Sequence, residues 1–516
     1  MDDDAQLISA SAAYAQGAYT KAATLFQILI QKHPGVAELY INLGAALRGA
    51  GDTRGAEAAY RDATRRAPKN ALGWFNLANL LRETRRGGEA LAAYHKADAL
   101  QPATPEILNN LGVQLYDCGA VTDALKHYDA ALAIRPDFTD AIANRGNALQ
   151  RMGRMADAES AIRAALAAMP DNAVYRLNMA SFLAAKGDHA AALEWTDRAI
   201  ESDPTFIKAR LKRAGLLIQQ GDLEAGFAAY EDRWLIPDWH LLPDKITAPA
   251  WRGEDLSGKR LLVWNEQGFG DALMYVRFLP DLQALGAHVT LMCEKTLMRL
   301  MRQSFDDIDI VDLAASPPAT DYHVSIMSLP ARLGVTLQTL GTGNPYLRAA
   351  DDEITAWNAE VADRTNGKPG IGLIWAGNPG QAHDYARSMT PDDMAPLLNN
   401  DDIAFFNLMV GPRGNTWRDP RLIDVRDQLT DFAATAALMT SLDLIVSVDS
   451  APAHLAGGLG CPVQILLSFD PDSRYFLTRT DSPWYPSATL VRQETPGNWA
   501  DSIGSVQQML GKLSGI

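Results

Sequence analysis

The stretch AELYINLGAALRGAGDTRGAEAAYRDATRRAPKN, residues 37–70, decides the fold of the first half of the chain. It reads as a helix, a turn at Gly51, a second helix and a closing Pro68, since Gly and Pro punctuate apolar-periodic segments in this way. Working outward, the same punctuation returns every 34 residues, with prolines at 34, 68, 102, 136, 170 and 204. Glycines stand at 17, 51, 119, 153, 187 and 221, and Arg85 takes the place of the missing one. Small residues recur at Gly44, Ala78, Gly112, Gly146, Ala180 and Ala214. A second small series runs Ala22, Ala56, Ala90, Ala124, Ala158 and Ala192 and continues to Gly226. Phe26, Tyr60, Tyr94, Tyr128 and Tyr230 fill the space between paired helices. These independent series share one register, which chance does not supply.

This pattern resembles the tetratricopeptide repeat family over roughly residues 4 to 235, and repeats of that kind stack into a superhelix with a concave groove. One polar position of the first helix keeps the period: Asn42, Asn76, Asn110, Asn144 and Asn178, then Lys212. Each asparagine offers one acceptor and two donors, so a column of them can hold an extended polypeptide by its backbone. The alternative is that the asparagines are solvated or bonded to neighbouring helices.

The chain has 516 residues, 47% of them apolar and 21% charged, a globular composition of two or three domains. A formal net charge of -15 argues against a general nucleic-acid binder, which would present a basic field. Cys118, Cys293 and Cys461 show no metal or redox spacing, which points to a reducing compartment. The Met-Asp-Asp-Asp start has the wrong charge for a secretory leader, and no apolar stretch is long enough to span a bilayer, so a soluble cytoplasmic protein is expected.

Between Tyr230 and Asp255 the helical pattern stops, interrupted by Pro237, Pro243 and Pro249 with Trp234, Trp239 and Trp251 among them. Tryptophans are costly to leave exposed, so this 236–258 joint is expected to be packed and rigid and to aim the groove at the C-terminal half. From Lys259 short apolar strands alternate with helical segments: Arg260–Trp264, His288–Met292, Ile308–Asp312 and Tyr322–Ile326, then Ile371–Trp375, Ala404–Met409, Leu444–Val448 and Val463–Leu467. Such alternation predicts parallel sheets with crossover helices. Two sets, parted by the polar segment near Asp351–Lys368, predict two Rossmann-like halves, residues 259–350 and 351–516, facing a cleft.

Two strand-to-helix junctions carry the candidate chemistry. Asn265-Glu-Gln-Gly-Phe-Gly-Asp271 follows a strand, with Gly268 and Gly270 allowing close backbone approach and Asp271 in the first helical turn. Helix capping alone would also explain Asp271. Ser447-Val-Asp-Ser-Ala-Pro-Ala-His454 delivers Asp449 and Ser450 to a helix start with Pro452 in its first turn, and free N–H groups there suit a phosphate. His454 lies four residues beyond Ser450, on the same face. A lone helical histidine is more often structural.

Glu266-Gln-Gly-Phe-Gly-Asp271, Trp375-Ala-Gly-Asn378, Arg387-Ser388 and Ser447 to Ala456 resemble, in the right order over about 250 residues, the heptosyltransferase-type family of GT-B glycosyltransferases. The whole architecture is similar to that of protein O-GlcNAc transferases and of bacterial repeat-containing enzymes, some of which modify flagellin. The resemblance implies Asp271 as general base and Arg387, where heptosyltransferases usually have lysine, as the cation facing the donor phosphates. It implies donor binding by Gly268, Gly270, Trp375, Asn378, Asp449, Ser450 and His454, and an inverting reaction. Ala451 departs from the glycine often found after the Asp-Ser pair. With no Asp-rich motif in the sequence, transfer without a metal is expected, from a CMP-, UDP- or ADP-linked sugar to Ser or Thr of a polypeptide such as flagellin. Two further readings stand beside it: a glycolipid transferase whose repeats recruit partners, and a repeat scaffold with an inactive transferase domain.

Overall fold

The computed structural model describes residues 3–236, 246–340, 345–381 and 384–513. Pro237, Trp239 and Pro243 of the joint therefore lie outside the described residues. Fourteen helices between Asp3 and Tyr230 form the repeats, among them the pairs Ala37–Gly49/Thr53–Arg66, Pro105–Asp117/Val121–Ile134 and Ile207–Gln220/Leu223–Tyr230. Side-chain caps begin several of them: Asp52 accepts from the Gly55 N–H at 2.8 Å and Asn70 from the Leu72 N–H at 3.0 Å, satisfying amides the helix cannot. Within hairpins the turn glycines adopt left-handed φ values, from +74° at Gly17 to +91° at Gly221, and Arg85 takes φ +60° in their place. That conformation costs a residue with a side chain about 1 kcal/mol. The small series has an equally direct cause. A Cβ on Gly44 would stand 2.5 Å from the Tyr60 ring, and one on Gly112 would stand 2.6 Å from Tyr128.

The chain divides into two compact units, Met1–Lys186 and Gly187–Ile516. The boundary falls inside the repeats because the last repeat helices share a core with the α/β region. Ile218, Leu223 and Phe227 belong to one apolar cluster with Trp251, Tyr275 and Leu279. Of the joint tryptophans, Trp251 is buried and donates from Nε1 to the Glu254 carbonyl at 2.9 Å, whereas Trp234 is 37% exposed.

The second unit carries two parallel sheets. The first holds β1 (Arg260–Trp264), β2 (His288–Cys293), β3 (Asp309–Asp312) and β4 (Tyr322–Ser325) in the order β3-β2-β1-β4. The second holds β5 (Gly370–Ile374), β6 (Ala404–Asn407), β7 (Leu422–Asp424), β8 (Leu444–Val448), β9 (Val463–Leu467) and β10 (Ala488–Arg492) in the order β10-β9-β8-β5-β6-β7. β5, β8 and β9 are buried along their whole length, as strands covered on both faces must be. The polar stretch that parts the two sets is a helix, Asp351–Thr365, which buries Trp357 and Val361. Among the described residues no helix is long and apolar enough to cross a membrane.

Candidate functional site

Each sheet has one place where the chain reverses its direction of travel across the strands. In the first sheet it lies between β1 and β4, because β2 and β3 extend one way and β4 returns to the other side. In the second it lies between β5 and β8. Crevices of this kind at carboxyl ends of strands are where open α/β sheets take ligands. The junction Asn265–Asp271 leaves β1, Trp375–Asn378 leaves β5, and Asp449–Ser450 leaves β8.

The junctions after β1 and β8 meet. A Cβ on Gly270 would stand 2.9 Å from His454 Cδ2 and 3.6 Å from Ala451 Cα, so the first turns of the helices Phe269–Tyr275 and Ala451–Leu459 touch where only glycine fits. A Cβ on Gly268 would lie 3.9 Å from Gln381 of the second sheet's loop. Asp271 accepts from Arg474 Nη2 at 2.9 Å across this contact. Arg474 also donates from Nε to Asp472 at 2.9 Å, and its Nη1 lies 3.4 Å from His454 Nε2 and 3.5 Å from Met274 Sδ. Burial opposes the charge on Arg474, yet Asp472 and Asp271 together hold its guanidinium well above its ordinary range.

Asp449 accepts from the Tyr475 hydroxyl at 2.8 Å, and burial, chiefly, raises its carboxyl above the usual value. His454 lies 3.8 Å from Asp449, with Nδ1 2.8 Å from the Tyr485 hydroxyl. Burial and then the charge of Arg474 push its imidazole well below 6.5, so His454 is neutral at pH 7 and brings no positive charge to an anion. Ser450 is buried, its hydroxyl 3.0 Å from that of Ser447.

Arg387 Nη1 lies 4.0 Å from Asp449 and its Nε lies 3.6 Å from Asp384. Arg413 pairs with the same Asp384 at 2.6 Å and donates to Ser388 Oγ at 2.9 Å. Two guanidinium forks thus share one buried carboxylate, and forks match phosphate geometry. Trp375 takes no part through its ring, which is buried edge-on against Trp417 at 5.0 Å. Asn378 closes its own turn, accepting from the Gly380 N–H at 2.9 Å. Asp271, Gly270, Asp449, Ser450, His454 and Arg387 are therefore brought into one neighbourhood, while Trp375 supports it from behind.

Sequence reasoning misses Arg474 and Arg413. Each acts across a long separation, 203 residues from Arg474 to Asp271 and 25 from Arg413 to Ser388, and no local pattern marks either. Glu266, within the β1 junction, does structural work: Arg233 donates to it from Nε at 2.8 Å and from Nη2 at 2.7 Å.

In the repeats the asparagine column is half-buried and partly bonded to the neighbouring asparagines Asn79 and Asn109. Asn144 Nδ2 donates to Asn109 at 2.9 Å, Asn109 to Asn110 at 3.1 Å, and Asn110 to Asn79 at 3.0 Å. Asn110 thereby commits both ends of its amide. Asn178 Nδ2 is buried without a hydrogen-bond partner, and Asn42 and Asn76 are half-buried. In the second unit, the charge of Lys212 adds to burial in lowering the His189 imidazole.

Comparison with known proteins recognises the repeats. The Tetratricopeptide repeat family matches residues 1–37, 41–105 and 144–205, and a further TPR repeat matches 114–153. Protein FlbA of Caulobacter vibrioides is 28% identical over 315 residues, covering 55% of this chain and 52% of that protein. The chain thus spans about half the length of this curated relative. Among solved structures, a tetratricopeptide repeat protein of Parabacteroides merdae is 17% identical with a TM-score of 0.41, covering 46% of this chain and 94% of that one. The APC/C hetero-tetramer Cut9-Hcn1 is 14% identical with a TM-score of 0.39, over 45% of this chain and 46% of that one.

Proposed function

We propose that this chain is a protein O-glycosyltransferase, with a GT-B arrangement of its two parallel sheets and a repeat scaffold that binds the polypeptide acceptor. The observation that supports it most is the meeting of the β1 and β8 junctions, each at its sheet's reversal point, with Asp271 on one side and Asp449, His454 and Arg387 on the other. In this reading a nucleotide sugar lies with its phosphate against the amides opening the helix Ala451–Leu459, near Arg387 and Arg413. The acceptor hydroxyl oxygen attacks the anomeric carbon with inversion, and its proton passes to the Asp271 carboxylate. The anomeric C–O bond to the phosphate breaks, and its electron pair leaves with the nucleotide. A positioned base contributes about 10²–10⁴-fold, and cations aimed at the departing phosphate stabilise the charge as it develops. The acceptor is a Ser or Thr of a polypeptide held by the asparagine column, with flagellin the first to try. The free thiols Cys118, Cys293 and Cys461 fit a cytoplasmic setting.

A thermal-shift screen against UDP, GDP, ADP and CMP tests the reading. A ligand at 100 times its dissociation constant stabilises the folded state by roughly 2.7 kcal/mol. A response to one nucleotide that Asp449→Ala abolishes is the expected result. No response to any of them would overturn the transferase reading and favour the scaffold, a second reading supported by the ion pair that already occupies Asp271.

A further inference from the structure

We infer that Arg474 is a ligand for the donor phosphate, and that in the unliganded chain Asp271 occupies the place that phosphate will take. The inference rests on the transferase reading and adds to it a binding residue and an order of events.

The guanidinium is engaged unevenly. Arg474 belongs to the short turn Ser473–Tyr475 beyond β9, and Asp271 to the helix beyond β1. Its side chain is 17% exposed and that of Asp271 is 15% exposed, so the pair sits at the floor of the site rather than in bulk solvent. Asp472, two residues away, holds Nε, which orients the fork from behind. Nη2 donates to Asp271 at 2.9 Å and, more distantly, to the second oxygen of Asp472 at 3.4 Å. The neighbours of Nη1 are a thioether sulfur at 3.5 Å, a weak acceptor, and an imidazole nitrogen at 3.4 Å, a long contact. One edge of the fork is thus held by a single close carboxylate on one nitrogen and by weak contacts on the other. A phosphate oxygen pair fits such an edge bidentately, which a lone carboxylate oxygen does not.

The consequence is competition. A phosphate that takes both terminal nitrogens competes with Asp271 for the Nη2–H, so a bound donor displaces the Asp271 carboxylate from its ion pair. Released, Asp271 is available for the acceptor hydroxyl proton. A base masked until the donor arrives makes binding ordered, donor before acceptor.

The test is a double-mutant cycle on nucleotide affinity, read by titration calorimetry with whichever of UDP, GDP, ADP or CMP binds the full-length protein most tightly. Asp271→Asn removes the competing charge and should tighten binding about three- to thirtyfold, within the usual range for coupled neighbours. Arg474→Gln should weaken binding, and in that background Asp271→Asn should change affinity less than about twofold. Arg474→Lys, which keeps charge but not the fork, replaces it if the glutamine variant fails to fold. An unchanged affinity in Asp271→Asn overturns the inference. So does equal tightening in both backgrounds, which reports plain charge repulsion. Either result leaves the transferase reading standing, whereas absence of nucleotide binding by the wild-type chain removes that reading itself.

Discussion

His454 shows at the scale of one residue how burial is converted into a pH response. Burial, then Arg474, pushes its imidazole well below 6.5, with Asp472 opposing. Below about pH 6.5 the unfolded chain takes up a proton that the folded chain refuses. The unfolded state then binds more protons, so stability falls as pH falls. The contribution is fully present above 6.5 and is lost progressively beneath it, at up to about 1.4 kcal/mol per pH unit. Asp449 works in the opposite sense, since burial raises its carboxyl above 3.8. The cost of its ionised form is present at high pH and relieved as pH drops through its folded value. Urea unfolding of His454→Gln between about pH 5 and 7.5 is expected to show a shallower pH slope than wild type, by up to about one proton below pH 6.5.

Among elements, the turn Glu231–Leu235 and the start of the β1 junction are joined by a buried charge pair. Arg233 and Glu266 have side-chain exposures of 1% and 0%. Burial opposes the charge on Arg233, but Glu266 and Glu231 more than offset it and raise its guanidinium above the ordinary value. Ser328 accepts from Arg233 at 2.8 Å, and Arg332 pairs with Glu231 at 2.7 Å, so the network has no open end on this side. Removing one member of such a pair strands the other charge, at about 3–5 kcal/mol. Glu266→Gln should lower the unfolding free energy by roughly that amount in chemical denaturation. Arg233→Met combined with Glu266→Leu should recover much of it, because neither charge is then buried alone.

This element also shows what a sequence can and cannot disclose. Glu266 stands out through its neighbours Gly268, Gly270 and Asp271, yet its partner is Arg233, 33 residues earlier, and an arginine in a turn carries no mark of burial. The repeats are legible because each series records a local contact repeated many times, as at Gly44 against Tyr60. Strands β5, β8 and β9 are legible as short, mostly apolar runs, broken only by Ser447 and Gln464. The strands that escape are β7, which is only three residues long, and β10, whose burial is interrupted. The helix Asp351–Thr365 hides behind its three-acid start and its few buried positions. In the site, the residues that announce themselves sit on glycine-rich junctions. The arginines that hold them, Arg474 and Arg413, arrive from distant turns.

For the whole molecule, the packing boundary at Lys186/Gly187 and the end of the repeat pattern near Tyr230 give different expectations for truncation. A chain beginning at Gly187 keeps Ile218, Leu223 and Phe227 in the core they share with Trp251 and Tyr275, and it keeps Arg233 on Glu266. A chain beginning at 236 loses all four. Burial of each apolar side chain is worth about 1.5–3 kcal/mol, so the three together contribute roughly 5–9. The stranded Glu266 adds about 3–5. The sum is comparable to the whole stability of an ordinary domain, about 5–15 kcal/mol. The shorter chain should therefore be insoluble or lack a cooperative melt, while the chain from Gly187 should elute as a folded species, melt in one transition and give the wild-type nucleotide response. Equal melting temperatures for the two truncations would mean that the last repeat pair adds nothing to the α/β core. The repeats would then be a separable scaffold up to Tyr230, and the candidate site would owe its floor to the two sheets alone.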